Sequence, residues 1–315
     1  MKCSKCQREA VYESRYSGTF LCKEHFFESV ERRVKSEIRK QIHFQGRTTI
    51  AVALSGGKDS SVMLYLLHKI LSPRKNTTLI AVTVDEGIDG YREHGLSSGE
   101  RLCEMLGIER RTISMADTYG VTLDSIVNAD RETIPCSYCG PIRRHLLNRI
   151  ALEVNADYLA VGTNLDDYSQ AALMNVVKGD FDRMVRMAPH TSERKGLIRR
   201  VLPLIKIPEK EVLLYALLAR IPYDPSWCPY FRMAQRNTFR EIIETLETAF
   251  PGSRFAILSF AEKVKALSSA QTKGGDEEIQ HCTICGEVSK SDICPSCRKI
   301  LRAGIQIQNG TKYLL

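Results

Sequence analysis

The sequence predicts an α/β protein, a parallel sheet packed between helices, with a small metal-binding module at each end. Three observations predict it. Short apolar runs alternate with helical patterns through the middle of the chain, a glycine-rich turn joins the first such strand to its helix, and cysteine pairs of chelating spacing stand near both termini. With 315 residues, 43% hydrophobic and 26% charged, the chain can build one sizeable core with smaller appendages. No apolar run approaches the ~20 residues that span a bilayer, and the opening MKCSKCQREA lacks an apolar signal core. A cytoplasmic protein without membrane contact is therefore expected. The net charge of +8 suits a nucleic-acid partner without requiring one.

The elements follow in order. Cys3-x2-Cys6 and Cys22-x2-His25 are two chelating pairs, each able to turn both ligands toward one ion, and they define a zinc module over 1–27. A charged linking helix occupies 28–46, and the main domain runs from 47 to 222. Its first strand, Thr48 to Leu54, is apolar like a buried parallel strand. The helix after it places Val62, Met63, Leu66, Leu67 and Ile70 on one broad face and ends at Ser72-Pro73. Further strands are expected at Thr78 to Val84, near Arg111 to Ser114, and from Asp157. Another helix starts near Pro208, with Glu209 and Glu211 at its positive end. Cys103 falls in a helical apolar pattern and reads as a small core residue.

Residues 223–267 form a helical extension in which Phe239, Ile242, Ile243 and Leu246 share one face and Pro251-Gly252 closes the helix; 268–280 is a linker. In 281–315, Cys282-x2-Cys285 and Cys294-x2-Cys297, among the turn formers Gly286, Pro295 and Ser296, supply four thiolates that favour tetrahedral Zn²⁺ over iron. Neither terminal module is long enough to bury an adequate core. Zinc, on the order of 10–16 kcal/mol in zinc-finger peptides, is expected to supply their folding free energy.

Two features carry chemistry. Cys136-x2-Cys139 and the distant Cys228 are one thiol short of a structural zinc set; they suit either an iron–sulfur cluster with one iron open or a redox pair with a third reactive thiol. Between the first strand and its helix lies Ser55-Gly56-Gly57-Lys58-Asp59-Ser60, whose glycines permit close backbone approach at a helix N-terminus, a geometry that binds phosphate.

The string SGGKDS resembles the pyrophosphate loop of the PP-loop ATPase superfamily, whose Rossmann-like, adenine nucleotide alpha-hydrolase-like domains cleave ATP between the α and β phosphates and adenylate a substrate. PCSYCG followed by IRRHLLNRIALEVNADYLAVGTNLDDYSQAALMNVVKGD is similar to the tRNA 2-thiouridine synthetase group of that superfamily, and the likeness covers nearly the whole chain. Members carry a zinc module at each end, a PP-loop and three core cysteines in this order. The resemblance implies a 4Fe-4S cluster on Cys136, Cys139 and Cys228. It implies ATP contacts at Ala53, Leu54, Ser55 and Asp59 within the 53–60 stretch, and at Val84, Gly162 and Asp167. Arg143 falls where some relatives have a lysine near the phosphates. Relatives usually read GHNLDD, whereas this chain has Thr163 in place of the histidine. The Asp166-Asp167 pair can hold Mg²⁺, orient a substrate, or cap the following helix.

The implied reaction is ATP-dependent 2-thiolation of a tRNA uridine. Phosphate on Ser55 to Ser60 lets the C2 oxygen attack the α phosphorus, with Mg²⁺, Lys58 and Arg143 stabilising the charge. Sulfide, or sulfur from a thiocarboxylated ubiquitin-like protein, then expels AMP. A persulfide on one of the three thiols is the runner-up chemistry. VDEGIDGYREHG and the segment after Cys228 look closer to enzymes acting on the wobble uridine than to those acting on the T-loop uridine. A homodimer is allowed. A non-catalytic, zinc-stabilised tRNA-binding protein and an amide-forming PP-loop synthetase are the alternatives of other classes.

Overall fold

The chain opens with a hairpin, β1 (Tyr12–Ser14) and β2 (Thr19–Leu21), with Tyr12 opposite Leu21. The description is of a computed structural model and covers residues 1–190, 194–271, 280–286, 288–289 and 291–307. Helix α1 (Lys23–Gln41) starts inside the first metal module, because Cys22 is its N-cap and His25 sits in its first turn. The expected boundary at 27–28 is thus mid-helix, and the helix stops at Gln41 rather than 46. Phe26, Val30, Val34 and Ile38, four apart, bury its inner face.

The central domain alternates β3 (Thr48–Ala53), α2 (Lys58–Leu71), β4 (Thr77–Asp85), α3 (Arg92–Leu106) and β5 (Glu109–Ser114), then continues through short helices α4 (Met115–Tyr119) and α5 (Leu123–Ala129) to α6 (Cys136–Glu153). There follow β6 (Tyr158–Ala160), α7 (Leu165–Val177), α8 (Phe181–Val185), β7 (Arg199–Val201) and α9 (Glu209–Ala219). All five strands are parallel, in the order β5-β4-β3-β6-β7. Strand order reverses between β3 and β6, which opens a crevice beyond their carboxyl ends. One apolar core joins α1, α2 and α9 to the sheet; a second joins α6 to β3, β4 and β6; a third joins α7 and α8 to Leu258 and Ala261 of a later helix. Cys103 is buried, as its helical pattern predicts.

The extension contains two helices, α10 (Arg236–Ala249) and α11 (Ser253–Gln271), and Pro251-Gly252 is the turn between them. On α10 only Ile243 is buried, and Ile242 is 42% exposed, so the expected four-residue apolar face is narrower than its spacing suggests. The linker expected over 268–280 begins in helix, since α11 continues to Gln271; residues 272–279 lie outside those described. Strand β7 was not legible because its three residues, Arg-Arg-Val, carry no apolar pattern. A second hairpin, β8 (Gln280–His281) and β9 (Val288–Ser289), and α12 (Pro295–Arg302) build the last module. Among the described residues, no helix is long and apolar enough to cross a membrane.

Candidate functional site

A cleft of about 440 Å³ opens beyond the carboxyl ends of β3, β4 and β6. Ala53, Leu54, Ser55, Asp59, Ser60, Val84, Arg143, Gly162 and Asp167 line it, so most of the residues expected at a nucleotide converge there; Thr163 lines it as well. Gly57 is the N-cap of α2 and offers no side-chain cap, leaving first-turn N–H groups free for an anion. Ser60 Oγ accepts from Ser55 N at 3.1 Å and donates to Gly57 O at 3.0 Å, bracing the loop from within. Gly56 has φ +86°, and a Cβ there would fall 1.9 Å from the carbonyl oxygen of Gly95, so the start of α3 presses on the loop where only glycine fits.

Asp59 and Lys58 are engaged with each other. Lys58 Nζ lies 2.9 Å from Asp59 Oδ2 and 2.7 Å from Glu209 Oε1, so its charge is paired with two carboxylates at the edge of the loop. Asp59 Oδ1 accepts from Asn164 Nδ2 at 2.9 Å. Asn164 is the N-cap of α7, accepting from Asp167 N, so the acidic pair occupies the first turn rather than the cap. Asp166 is taken up by Arg254 and by the backbone N–H of Glu209. Asp167 faces the cleft, 3.4 Å from Arg236, and burial pushes its carboxyl up to about 6.

The wall opposite α7 is cationic. Arg143, Arg144 and Arg200 line it, and burial together with the charges of Arg200 and Arg143 brings Arg144 down to about 10. Buried Arg92 donates to the carbonyls of Val84 (3.1 and 2.9 Å) and Ser55 (2.6 Å) and pairs with buried Glu86 at 2.9 Å. Glu86 in turn lies 3.7 Å from Arg143. Arg92, Glu86, Asn164 and Arg144 were not picked out from the sequence. The first two stand in the VDEGIDGYREHG segment, where their charges look like those of a solvated loop.

Cys136 and Cys139 sit three apart in the first turn of α6, on one face of the helix. Cys228 reaches the same place from the segment after α9, which is pinned to the loop by Asp224 N donating to Gly56 O at 2.8 Å. Cys139 and Cys228 pack in one apolar cluster beside Tyr138, Ile142 and Tyr230. Burial pushes the Cys139 thiol up to about 11, opposed by Arg143 and reinforced by Glu86, Cys136 and Cys228; burial also raises Cys228, with Cys136 next among the charges acting on it. The three sulfurs thus feel one another, yet they do not close to within 4.8 Å as a set.

Two other sets do close that tightly: Cys3, Cys6, Cys22 and His25, and Cys282, Cys285, Cys294 and Cys297. A tetrahedral ion with metal–sulfur bonds of about 2.3 Å holds its sulfurs about 3.8 Å apart. Cys6 to Cys22 and Cys285 to Cys294 are each 3.7 Å, and His25 Nδ1 is 3.3 Å from Cys3 and 3.4 Å from Cys22. The C-terminal module docks on α6: His145 Nδ1 is 3.2 Å from Ser296 Oγ, and Lys299 Nζ donates to Ser137 O at 2.8 Å, between the two cysteines of the first turn.

A PP-loop domain family model matches residues 28–246, and the N-terminal LIM domain of the 2-thiouridine synthetase TtuA matches residues 2–27. A probable sulfurtransferase of Methanocaldococcus jannaschii is 38% identical over 307 residues, covering 96% of this chain and 88% of the relative. The tRNA 2-thiolation protein NcsA of Haloferax volcanii is 36% identical, covering 95% and 98%. The tRNA-5-methyluridine(54) 2-sulfurtransferase of Pyrococcus horikoshii is 31% identical, covering 95% and 93%. Among solved structures, the U34-tRNA thiolase NcsA from Methanococcus maripaludis, with its 4Fe-4S cluster, is similar with a TM-score of 0.83 and 37% identity over 97% of each chain.

Proposed function

We propose that this chain, which belongs to the PP-loop family of tRNA 2-thiolation proteins, replaces the C2 oxygen of a tRNA uridine with sulfur in an ATP-driven reaction. The observation that carries this reading is the position of Arg143: it lines the cleft beside the phosphate loop, pairs with Glu86 and faces Cys139. One guanidinium therefore lines the activating half of the site while its charge acts on a thiol of the sulfur-bearing half.

A uridine C2 carbonyl lacks a leaving group, so its oxygen is activated first. The loop N–H groups from Gly57 onward and the arginine wall hold the ATP phosphates. The uridine oxygen attacks the α phosphorus and pyrophosphate leaves, carrying its charge past Arg143. Asp167 would hold Mg²⁺ against the phosphates, with Asp59, positioned by Lys58 and Asn164, shaping the turn beneath them. Sulfur then adds at C2 and the adenylate oxygen departs with AMP. Cys136, Cys139 and Cys228 would hold a 4Fe-4S cluster, which when bound offers one iron free of protein ligands to carry sulfide. The sulfur arrives as sulfide or from a thiocarboxylated ubiquitin-like protein, and the setting is the cytoplasm. The two tight quartets would each hold a structural Zn²⁺. We assign the wobble uridine, supported by the higher identity to the U34-tRNA thiolase than to the uridine-54 enzyme.

The test is anaerobic reconstitution with iron and sulfide, followed by reaction with ATP and unmodified tRNA and mass spectrometry of the nucleosides. The expected result is 2-thiouridine at position 34, AMP and pyrophosphate, with about four iron per chain. Each single alanine replacement of Cys136, Cys139 or Cys228 removes both iron and product. A Cys228→Ala protein that keeps a normal cluster, or cluster-free protein that thiolates at the full rate, overturns the assignment.

A further inference from the structure

The segment that brings Cys228 to the site also presents an aromatic surface that the chemistry above does not use. Trp227 is 61% exposed, and its ring lies 4.4 Å from that of Phe231, tilted by 57°. The guanidinium of Arg240 stands 5.6 Å from both ring centroids. Among the described residues its Nε is buried without a hydrogen-bond partner, and the guanidinium pairs with Glu209 at 3.7 Å. Arg232 and Arg236 are exposed alongside, as is Met233. A single exposed apolar side chain needs no explanation. A tryptophan and a phenylalanine bridged by one arginine and flanked by two more form a patch of defined chemistry, a π-face with positive charge around it.

The patch has a fixed place relative to the reaction. Asp224 is hydrogen bonded to the phosphate loop at Gly56 O, and three residues further, at most about 11 Å of chain, lies Trp227. Ser226 N and Oγ both donate to Asp224 Oδ1, which tightens the turn between them. Phe231 N donates to Cys228 O and Asn237 Nδ2 to Phe231 O, so the second ring is held as well. Arg236 reaches from the patch to Asp167 in the cleft.

We propose that Trp227 and Phe231, with Arg232, Arg236 and Arg240 around them, form a stacking platform for an unpaired tRNA base next to the reacting uridine. The inference rests on the tRNA-thiolation reading and deepens it. To reach the cleft, the target uridine must leave its stack, and its neighbour must then be held elsewhere. Aromatic faces hold single-stranded bases without regard to sequence, and arginines beside them engage the phosphates on either side. A duplex stem, whose bases are already stacked, cannot use such a surface.

Trp227 is the chain's single tryptophan, so its emission reports this one place. Reconstituted protein is titrated anaerobically with an anticodon stem-loop RNA and, separately, with a blunt duplex of the same stem, while fluorescence anisotropy of labelled RNA follows binding. The stem-loop is expected to quench the tryptophan and shield it from acrylamide; the duplex is not. Trp227→Ala raises the KM for tRNA about tenfold, the scale of one lost base–aromatic stack, with kcat within about twofold, and Trp227→Phe restores most of the loss. The platform is overturned if anisotropy shows the loop bound while emission stays unchanged, if the duplex quenches equally, or if Trp227→Ala leaves the KM unaltered. It is also overturned if emission follows protein concentration without RNA, which marks a second copy of the chain as the occupant. If wild-type protein neither binds nor thiolates tRNA, the function reading itself fails and takes the platform with it.

Discussion

Replacing Arg92 by methionine tests whether the phosphate loop is held from below by one buried cation. Arg92 and Glu86 are 5% and 6% exposed and pair at 2.9 Å. The guanidinium also donates to carbonyl oxygens at the ends of two strands, Val84 of β4 and Ser55 just after β3. Methionine fills most of the volume but makes none of these contacts. It leaves Glu86 buried with only the half-exposed Arg143 at 3.7 Å. Removing one partner of a buried pair costs about 3–5 kcal/mol. The orphaned carbonyls belong to the same network, so their ~1–3 kcal/mol each overlaps with that figure rather than adding to it. Against a net stability of about 5–15 kcal/mol this is a large fraction. Urea denaturation of the metal-loaded protein should show the midpoint falling at unchanged slope. Glu86→Gln/Arg92→Met should cost about 1–3 kcal/mol less than the sum of the single changes, because no uncompensated charge is left inside. ATP affinity of the soluble Arg92→Met protein should fall at least about tenfold, since Ser55 opens the loop. A loss below about 1 kcal/mol, or strict additivity in the double variant, refutes the argument.

Three further outcomes follow from the geometry. Gly56→Ala sets a Cβ against the Gly95 backbone at φ +86°, where no flexible side chain can move aside; a loss of order 3 kcal/mol and of ATP binding is expected in thermal-shift and nucleotide titrations. Cys294→Ser should lower zinc from about two to about one per chain by metal analysis and speed loss of iron from the core cysteines in air, because Lys299 then no longer holds Ser137 O. His190 is held down to about 4 by burial, reinforced by Arg200, Lys265 and Arg194. The unfolded chain therefore binds more protons than the folded one between about pH 6.5 and 4. Stability should drop as pH falls through that window, and His190→Gln should flatten the drop in the denaturation midpoint.

What the sequence made legible was local. The loop lies between a strand and a helix that adjoin it, and each quartet is two pairs whose members are three residues apart; such signals need no knowledge of distant contacts. The network beneath the loop was not legible, because Glu86 and Arg92 become a buried pair only when β4 and α3 close on the end of β3. Lys58 shows a long-range contact of the same kind. In the string it reads as a phosphate ligand, and nothing in the string announces that Glu209, 151 residues away at the start of α9, pairs with it together with Asp59. Helix α11 carries a readable signal, with Phe255, Leu258, Ala261 and Val264 three apart against the α7–α8 core, but Pro251-Gly252 reads equally as the end of one helix and the start of the next.

The two metal modules look alike in sequence and are built into different parts of the protein. The first shares its core with α1, α2 and α9, where Tyr12 and Tyr16 donate to the buried carboxylate of Glu211 and Arg33 pairs with it. Its loss therefore exposes a charged group beneath the sheet's far face and weakens the domain as a whole. The second shares its core with Tyr138, Ile142, Cys139 and Cys228, and its helix grips the first turn of α6. The same kind of ligand set, two close pairs able to hold one ion, thus sits against the scaffold at one end of the chain and against the helix that carries Cys136 and Cys139 at the other. The two quartets are separable by experiment on that basis: removing the first should move the denaturation midpoint more than the iron content of the reconstituted protein, and removing the second should do the opposite.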